Sequence, residues 1–338
     1  MAIRRPIHAL LLLLALCACA PATVRAHEGW GIVVDANGNV YFSDIPTNTI
    51  WRLTPDRRFE AVVRDKHSHA LVLAVDGSIH GTHHPPDEPV RSVWRLAPDG
   101  QLTAVVPPTR DFPLGLQSFA MDAKGNIFSQ NAYRAGATEV VLLRRDPAGE
   151  ISVLAGSEAQ FTQIDGMAFG PDSALYVTDG PNVRRIAADG TVATLNAQPL
   201  TTPRWDQDLM GVAMAEDGSA WIADYSGRRL IELLPNGGIG RAHHTRGILW
   251  APTGVTLHSG DIYLLEHLRM PLVIFGDVQI GPYARISKMS AEGAVQHLVT
   301  LWGTNTWWAA SVALALILVS VALLRRRMAS RRRTARTR

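Results

Sequence analysis

The chain repeats one short pattern six times between residues 31 and 266: an apolar strand, a turn rich in Asp and Gly, and a second apolar strand. Asp, Asn and Gly tolerate the positive φ angles that tight hairpins need. A single unit of this kind cannot bury its own apolar face, so such repeats stack against their neighbours. A large residue recurs at the equivalent point of each second strand, every 39 to 48 residues: Tyr41, His80, Phe128, Tyr176, Trp221 and Tyr263.

Each unit continues with a third and a fourth apolar strand. Ile50–Leu53 and Ala61–Val63 are the examples in the first unit. Four strands in each repeat of this length are typical of a β-propeller blade. We therefore predict an all-β, six-bladed propeller over residues 27–303, with an insertion at Glu266–Pro282 in the sixth blade. No split blade is evident that would latch the ring.

The first 26 residues have the character of a secretory signal peptide. Arg4 and Arg5 precede the apolar stretch Ala9–Ala18, and Val24-Arg25-Ala26 is a suitable cleavage site. Both cysteines of the chain, Cys17 and Cys19, lie in this segment. Lipidation of Cys19 is the alternative, although the residues before it form a poor lipobox. The mature chain is thus expected to hold neither disulfides nor thiolate metal sites.

A second apolar segment lies near the C-terminus and predicts a transmembrane helix over residues 304–324. Trp307–Leu324 carries no charge over 18 residues, which is about the minimum length for a span. The arginine-rich tail, residues 325–338, follows directly and is expected in the cytoplasm. The propeller is then expected on the extracytoplasmic, periplasmic side of the membrane. A buried core helix and a sorting signal removed after export are the alternatives.

The charge of the body argues against nucleic-acid binding. Eleven of the 33 basic residues lie in the first 26 and the last 14 positions, and no acidic residue does. The body between them carries 22 basic and 30 acidic residues, a net charge of about −8. Such a surface repels a phosphate backbone. Plausible partners are instead the membrane and a small molecule or an envelope protein.

One tight turn joins the first and second strands of each blade, so the start of strand one and the end of strand two meet at one end of the channel. Carboxylate, amide and imidazole groups recur there, and they suit a divalent metal or general-base chemistry. Residues before strand one include His69, Gln117, Asp165 and, further ahead, Glu28 and Asp208. Residues after strand two include Asp44, His83, His84, Asn131, Asp179, Asp224, Glu266 and His267.

Two structural interpretations, without a catalytic role, are the alternatives to the functional one. Asp44, Asp179 and Asp224 could bind neighbouring backbone amides and staple the blades together. His69 with His83 and His84 could form a polar rim as readily as a catalytic pair. The remaining histidines outside the pattern are expected at the surface: His67, His243, His244, His258 and His297.

The repeated motif, as in Gly211-Val-Ala-Met-Ala-Glu-Asp-Gly-Ser-Ala-Trp-Ile-Ala-Asp224, resembles NHL-repeat propellers and the related gluconolactonase, strictosidine-synthase-like and paraoxonase-like groups. The resemblance covers about residues 28–300. Ile164-Asp165-Gly166 is similar to the metal-binding Asp-Gly step of gluconolactonase-type lactonases, which implies that Asp165 is a ligand and proton-transfer group. It also implies Glu28 as a coordinating carboxylate, while Gln117 stands where that family has asparagine.

The paraoxonase-like pattern implies roles for other residues. Its histidine before strand one of blade two matches His69, and its His-Pro step matches His84-Pro85. Its metal-binding asparagine matches Asn131, and the next strand-one ligand matches Asp165. The expected Asp-Asn pair of blade five falls on Leu209-Met210, with Asp208 beside it.

These resemblances give a first functional hypothesis. A divalent metal, expected to be Ca²⁺, is held by Glu28, Asn131, Asp165 and Asp208. His69, His84 and Asp165 are the catalytic residues, activating water against a lactone or ester carbonyl that the metal polarises. Gln117, His83, Asp179, Asp224, Glu266 and His267 line the rim. The alternative is a non-catalytic propeller that binds a protein, glycan or small ligand at the cell envelope.

Overall fold

The chain divides into two compact units. One comprises Ala26–Arg269 with Ala284–Val299, and the other Met1–Arg25, Met270–Tyr283 and Thr300–Arg338. The computed structural model describes residues 28–85, 90–112, 118–131, 139–196, 198–201, 209–269, 272–274, 278–303, 317–318, 320–321 and 323–325.

The first unit is built from six sheets that share one plan, four antiparallel strands in each. The innermost strands are β1 (Ile32–Val34), β5 (Leu71–Leu73), β9 (Ala120–Met121), β13 (Ile164–Phe169), β17 (Leu209–Met214) and β21 (Trp250–His258). The second strands are β2 (Val40–Asp44), β6 (Ile79–His83), β10 (Ile127–Gln130), β14 (Leu175–Asp179), β18 (Ala220–Asp224) and β22 (Asp261–Leu268).

The outer two strands complete each sheet. The third strands are β3 (Thr49–Leu53), β7 (Arg91–Leu96), β11 (Leu142–Arg145), β15 (Asn182–Ile186), β19 (Arg229–Leu233) and β25 (Pro282–Met289). The fourth strands are β4 (Phe59–Val63), β8 (Leu102–Thr109), β12 (Ile151–Ala155), β16 (Val192–Thr194), β20 (Ile239–His244) and β26 (Val295–Trp302). The predicted six-bladed propeller with four-stranded blades is therefore confirmed.

Burial explains why the repeat has its alternating apolar character. In blades one, four and five, all five residues of the second strand are buried, because that strand lies between two others and between two neighbouring blades. The fourth strands are more exposed than the second: β20 has no buried residue, and β4 has one. The turn aspartates stabilise the inner hairpins: Asp35 Oδ1 accepts hydrogen bonds from the N–H groups of Asn37 and Asn39, each at 2.9 Å. Gly38 adopts a φ of 77° in the same turn, a conformation that favours glycine.

The ring closes without a split blade. Thr253 of blade six donates its hydroxyl to the carbonyl oxygen of Gly29, ahead of blade one, at 2.9 Å. A Cβ built on Gly254 would lie 2.3 Å from the carbonyl oxygen of Trp30, so only glycine permits this approach. On the other side of blade one, the N–H groups of Trp30 and Gly31 both donate to the carbonyl oxygen of His69, at 2.8 and 2.7 Å. Closure therefore rests on direct contacts between adjacent inner strands.

The second unit contains a small hairpin of β23 (Leu272–Ile274) and β24 (Val278–Ile280), which lies within the predicted insertion. Gly303 N–H donates to Gly281 O at 2.9 Å. Within the described part of the chain, no helix is long and apolar enough to cross a membrane. The predicted signal peptide and most of the apolar run Trp307–Leu324 lie outside the described residues.

Candidate functional site

The channel has two unlike ends, and the predicted site lies at the end where the inner strands begin, called here the start end. Trp30, Phe119, Met210 and Tyr225 are all buried at this end and belong to one apolar cluster. His69 is buried beside them, with its ring edge-on to Trp30 at 5.0 Å between centroids. These four apolar side chains form a layer at the start end, called here the floor, and polar groups surround it.

Three histidines and an asparagine meet between blades one and two. His67 Nε2 lies 3.1 Å from His69 Nε2, and His67 Nδ1 lies 2.9 Å from Asn48 Oδ1. His83 Nδ1 accepts the backbone N–H of His67 at 3.1 Å. His67 and Asn48 are half-buried, whereas His69 is buried, so this histidine cluster connects the rim with the channel floor.

The contacts of the two central imidazoles suit one pair of tautomers. When His67 carries its proton on Nδ1, that nitrogen donates to Asn48 Oδ1, and Nε2 can accept a hydrogen bond from His69 Nε2. In this arrangement Asn48 orients His67, and His67 orients His69.

Cationic side chains surround the outer part of this cluster. Burial, followed by the charges of Lys66 and His84, lowers the pKa of His83 to about 4. Burial and the neighbouring Arg91 lower the pKa of His84 as well, and an Arg91 guanidinium nitrogen contacts His84 Nδ1. His83 and His84 are therefore neutral at pH 7, and the positive charge near the cluster comes from Lys66 and Arg91.

A carboxylate contacts the floor through Tyr225. Tyr225 donates its hydroxyl to Glu28 Oε1 at 2.8 Å. Burial raises the pKa of Glu28 in spite of this hydrogen bond, and it also raises the pKa of Tyr225. The guanidinium of Arg269 lies 5.4 Å from the Tyr225 ring centroid and favours the ionised form of Glu28. Neither Tyr225 nor Arg269 occupies a repeated position, so the repeat pattern does not single them out.

Most carboxylates that end the second strands are engaged inside their own blades. Asp179 Oδ1 accepts the N–H groups of Thr162 and Gln163, at 2.7 and 3.0 Å. Asp224 accepts the N–H of Gly227 at 2.6 Å and Arg229 Nε at 2.7 Å. These are the contacts of structural staples, which join the end of strand two to nearby turns and to the third strand.

The carboxylates that end the second strands of blades one and six are also engaged within their own blades. Trp51 Nε1 donates to Asp44 Oδ2 at 3.0 Å. Arg285 forms a bidentate ion pair with Glu266, at 2.7 and 2.8 Å, in which both side chains are buried. The neighbouring His267 places its Nδ1 2.9 Å from the hydroxyl of Thr253, the residue that closes the ring. Burial lowers the pKa of His267 to about 3.

The described residues do not fit the predicted metal site. Asn131 Oδ1 accepts the N–H of Val141 at 2.9 Å within its own blade. Asp165 accepts hydrogen bonds from Gln163 Nε2, at 2.9 Å through Oδ2 and 3.2 Å through Oδ1. Glu28 is bound to Tyr225, as above. In the described ranges, no group of three His, Cys, Asp or Glu side chains is arranged to hold a metal ion.

The remaining predicted donors do not complete this set. Asp208 and Gln117 lie outside the described residues. Met210, at the position where the resemblance implies an amide or carboxylate, is fully buried in the apolar floor. A thioether is a poor ligand for a hard cation such as Ca²⁺. We therefore assign no chemical step to a metal.

The histidines differ most from their expected positions. His69 and His83 lie in the cluster, whereas the ring of His84 faces Arg91. His67, expected at the surface, is the central member of the cluster. Its position two residues before His69, just ahead of β5, was the available signal, because alternate residues of an extended chain point to the same side.

Comparison with known proteins agrees with this fold. Residues 29–247, more than half of the chain, match the family described as the SMP-30/gluconolactonase/LRE-like region. No curated protein matches the chain by sequence.

Several solved structures are similar in fold. Regucalcin from Agrobacterium tumefaciens C58, a calcium-binding protein, aligns with a TM-score of 0.55 and 15% identity over 73% of this chain and 84% of its own. A gluconolactonase from Xanthomonas campestris aligns with a TM-score of 0.52 and 13% identity over 70% and 83%. Virginiamycin B lyase from Staphylococcus aureus gives 0.50 and 16% over 81% and 85%. At these identities the similarity establishes the propeller fold alone.

Proposed function

The chain belongs to the SMP-30/gluconolactonase/LRE-like family, and from that premise we propose that it hydrolyses a lactone or an ester at the start end of its channel. The observation that carries the proposal is the 3.1 Å contact between His67 Nε2 and His69 Nε2, oriented by Asn48. Two imidazoles in contact, one half-buried and one buried, can accept a proton from water inside the protein and return it to a leaving group.

The proposed reaction uses the imidazole pair as the general base. Water attacks the substrate carbonyl carbon while the pair takes one of the water's protons, and a tetrahedral oxyanion forms. Collapse of the oxyanion breaks the bond between the carbonyl carbon and the leaving oxygen, which receives the proton from the pair. The products are a carboxylic acid and an alcohol, joined in one hydroxy acid when the substrate is a lactone.

Charge near the cluster supports the same chemistry. Burial is the main cause of the lowered pKa values of His83 and His84, and the charges of Lys66 and Arg91, respectively, are the next cause. The same positive charges would favour an oxyanion that develops at this rim. They would also favour substrates that carry a carboxylate or another negative group beside the reacting carbonyl.

The direct test is a hydrolysis assay of the full-length chain with δ-valerolactone and p-nitrophenyl acetate. His67→Gln and His69→Ala are expected to lower kcat/KM by about 10²- to 10⁴-fold, the usual contribution of a general base. His244→Gln, at an exposed histidine of β20, is the matched control and should leave kcat/KM unchanged. A chelator should have no effect, because the described donors do not converge.

Three results would contradict the proposal. Wild-type activity retained by both His67→Gln and His69→Ala would remove the imidazole pair from the mechanism. Activity lost on chelation and restored by Ca²⁺ would mean that a metal site forms after all. Complete absence of hydrolysis would favour the second candidate, a propeller that binds its ligand without converting it.

The location of the site relative to a membrane stays a prediction from the sequence. We propose that the propeller is exported and anchored by the C-terminal apolar run, as the two terminal segments indicate. Alkaline phosphatase fused after residue 303 should be active in a Gram-negative host, and a fusion after residue 338 should be inactive. The opposite pattern would contradict the proposed orientation.

A further inference from the structure

A short loop between blades five and six exposes two adjacent apolar side chains to water. This loop, residues 245–249, joins β20 to β21 at the start end of the propeller and is called here the Ile248 loop. Ile248 is 81% exposed and Leu249 is 39% exposed. Among the exposed large apolar residues described in the propeller unit, they are the only two that are consecutive. Adjacent exposed apolar residues can mark a contact with a protein or a membrane.

The exposure of these side chains belongs to a defined loop conformation. Arg228 Nη1 donates to Ile248 O at 2.5 Å, and the backbone N–H of Arg269 donates to Leu249 O at 2.9 Å. Gly247 adopts a φ of 90° at the turn of the loop. These contacts fix the backbone carbonyl groups of the loop and leave both aliphatic side chains outside the packed blades.

Positive charge surrounds the two apolar side chains. Arg246 lies within the loop and is exposed, and Arg228 contacts the loop backbone. The carboxylates that end the adjoining second strands already form ion pairs, which are Asp224–Arg229 and Glu266–Arg285. Neither Arg228 nor Arg246 forms an ion pair with another described residue. The Ile248 loop therefore combines exposed aliphatic groups with guanidinium groups whose charge no carboxylate neutralises.

The other end of the propeller, called here the turn end, has the opposite charge. The turns between strands one and two and between strands three and four all lie there. These turns carry twelve acidic and three basic residues, with Asp35, Asp76 and Asp172 as examples in the inner hairpins. An anionic surface is repelled by the turn end, so such a surface can approach the propeller only from the start end or from the side.

The chain also leaves the propeller unit at the start end. β26 is a fourth strand, so it runs toward the end at which β21 begins, and Val299 is the last residue of the unit. The apolar run Trp307–Leu324 begins eight residues later. Eight residues span at most about 29 Å when fully extended. The proposed membrane anchor would therefore keep the start end close to the bilayer.

We propose that Ile248 and Leu249 insert into the interface of an anionic phospholipid bilayer, with Arg228 and Arg246 beside the lipid phosphates. The aliphatic side chains leave water, and guanidinium groups bind phosphate oxygens in pairs. This proposal rests on the membrane location proposed above and deepens it, because it defines which face of the propeller contacts the lipid. That face is the start end, which also carries the histidine cluster.

The test places one fluorescent label at each end of the propeller. In the full-length chain with Cys17 and Cys19 replaced by Ser, Ile248→Cys is labelled with the dye NBD. Val75→Cys is the matched control, because Val75 is 87% exposed in the turn between β5 and β6 at the acidic turn end. Both proteins are reconstituted into vesicles of phosphatidylglycerol and phosphatidylcholine that contain a nitroxide-labelled lipid. Quenching at position 248 should be at least about threefold stronger than at position 75.

The contribution of positive charge is measured with a second variant. Arg246→Gln removes one exposed charge, and the described contacts of Arg246 with the loop use its backbone carbonyl group alone. In the chain labelled at position 248, this variant should lower the ratio of inserted to free loop about fivefold. Vesicles of phosphatidylcholine alone should give a loss at least as large. Quenching that is unchanged by both would remove the arginines from the proposed contact.

Flotation of the vesicles distinguishes failure of this proposal from failure of the anchor. A chain that floats with the vesicles while its label at position 248 stays unquenched retains the anchor and overturns the lipid contact. A chain that does not float overturns both. Equal quenching at positions 248 and 75 would also overturn the proposal. A label that lipid does not quench but that is shielded in concentrated detergent solution, or in membranes of the expressing host, would assign the loop to a second copy or to another protein instead.

Discussion

Blade two and blade six carry the same repeat but end their second strands differently. In blade six, Glu266 at this position forms a buried bidentate pair with Arg285. In blade two, His83 takes the equivalent place and accepts the backbone N–H of His67. The third strand there supplies Trp94, whose Nε1 donates to Thr82 O at 3.0 Å, and only a glycine at position 81 leaves room for its ring.

This difference indicates where to look for function in a repeat protein. A side chain that recurs in several blades serves the blade itself, as the carboxylates of blades one, four, five and six do. Where one blade has a different residue at the end of strand two, that position, called here the released position, can make other contacts. Here the departure in blade two coincides with the histidine cluster that carries the proposed chemistry.

The strongest test of the comparison is removal of a staple. Glu266→Ala leaves the buried Arg285 guanidinium without its carboxylate, and loss of one partner of a buried ion pair typically costs about 3–5 kcal/mol. Urea unfolding should show this loss in the free energy of unfolding. Glu60→Ala, which breaks the exposed pair with Arg52, is the control and should cost less than about 1 kcal/mol. Equal losses would refute the structural role of Glu266.

A smaller effect is expected from pH, through His267. Burial lowers its pKa to about 3, against 6.5 for a free histidine, so the native state holds the neutral form. The neutral His267 contributes fully to the free energy of unfolding above pH 6.5. As the pH falls from 6.5 toward 3, that free energy decreases by about 1.4 kcal/mol per pH unit, because the unfolded chain binds the proton and the native state does not.

Urea midpoints at pH 7, 5.5 and 4.5 measure this dependence. His267→Gln should flatten the decline in stability with falling pH, whereas His244→Gln at an exposed position should not. An unchanged slope in His267→Gln would mean that the buried imidazole is not the group responsible.

The third prediction concerns the released position in blade two. His83→Ala removes the acceptor for the His67 N–H and should lower kcat about tenfold with little change in KM, because it misplaces the imidazole pair without touching the substrate. His83→Asn retains an acceptor and should recover most of the rate. If His83→Ala instead raises KM alone, His83 binds substrate and does not position His67.

The smallest effect is expected in blade one, where the staple has a neutral donor. Trp51→Phe keeps most of the ring but removes the 3.0 Å hydrogen bond to buried Asp44, which should cost about 1–3 kcal/mol, toward the lower limit because Thr47 also donates to this carboxylate. Thermal unfolding measures the loss, and Trp302→Phe, at an exposed position, is the control. A loss of stability as large as that of Glu266→Ala would contradict the expectation that a neutral donor stabilises the blade less than a buried ion pair does.

Much of the fold was predictable because its determinants are local. Turn residues, alternating apolar strands and a recurrent large residue are visible in every repeat, so the number of blades and their strand order followed from the sequence. The channel end at which Asp165, His69 and Glu28 lie followed as well, from the direction of the strands. Ring closure did not, because the contact between Thr253 and Gly29 joins residues at opposite ends of the propeller sequence.

By itself, then, the sequence determined a six-bladed propeller and the face that carries its polar residues, since both depend on patterns within single blades. Only the tertiary structure decided which polar residues bind within their own blade and which meet a partner from elsewhere in the chain. The bond between Glu28 and Tyr225, the engagement of Asn131 by its own blade, the burial of Met210 and the meeting of His67 with His69 are contacts whose partners no spacing rule identifies. The physical reason is that each side chain can form only a few hydrogen bonds. Packing within and between blades decides which groups come close enough to form them.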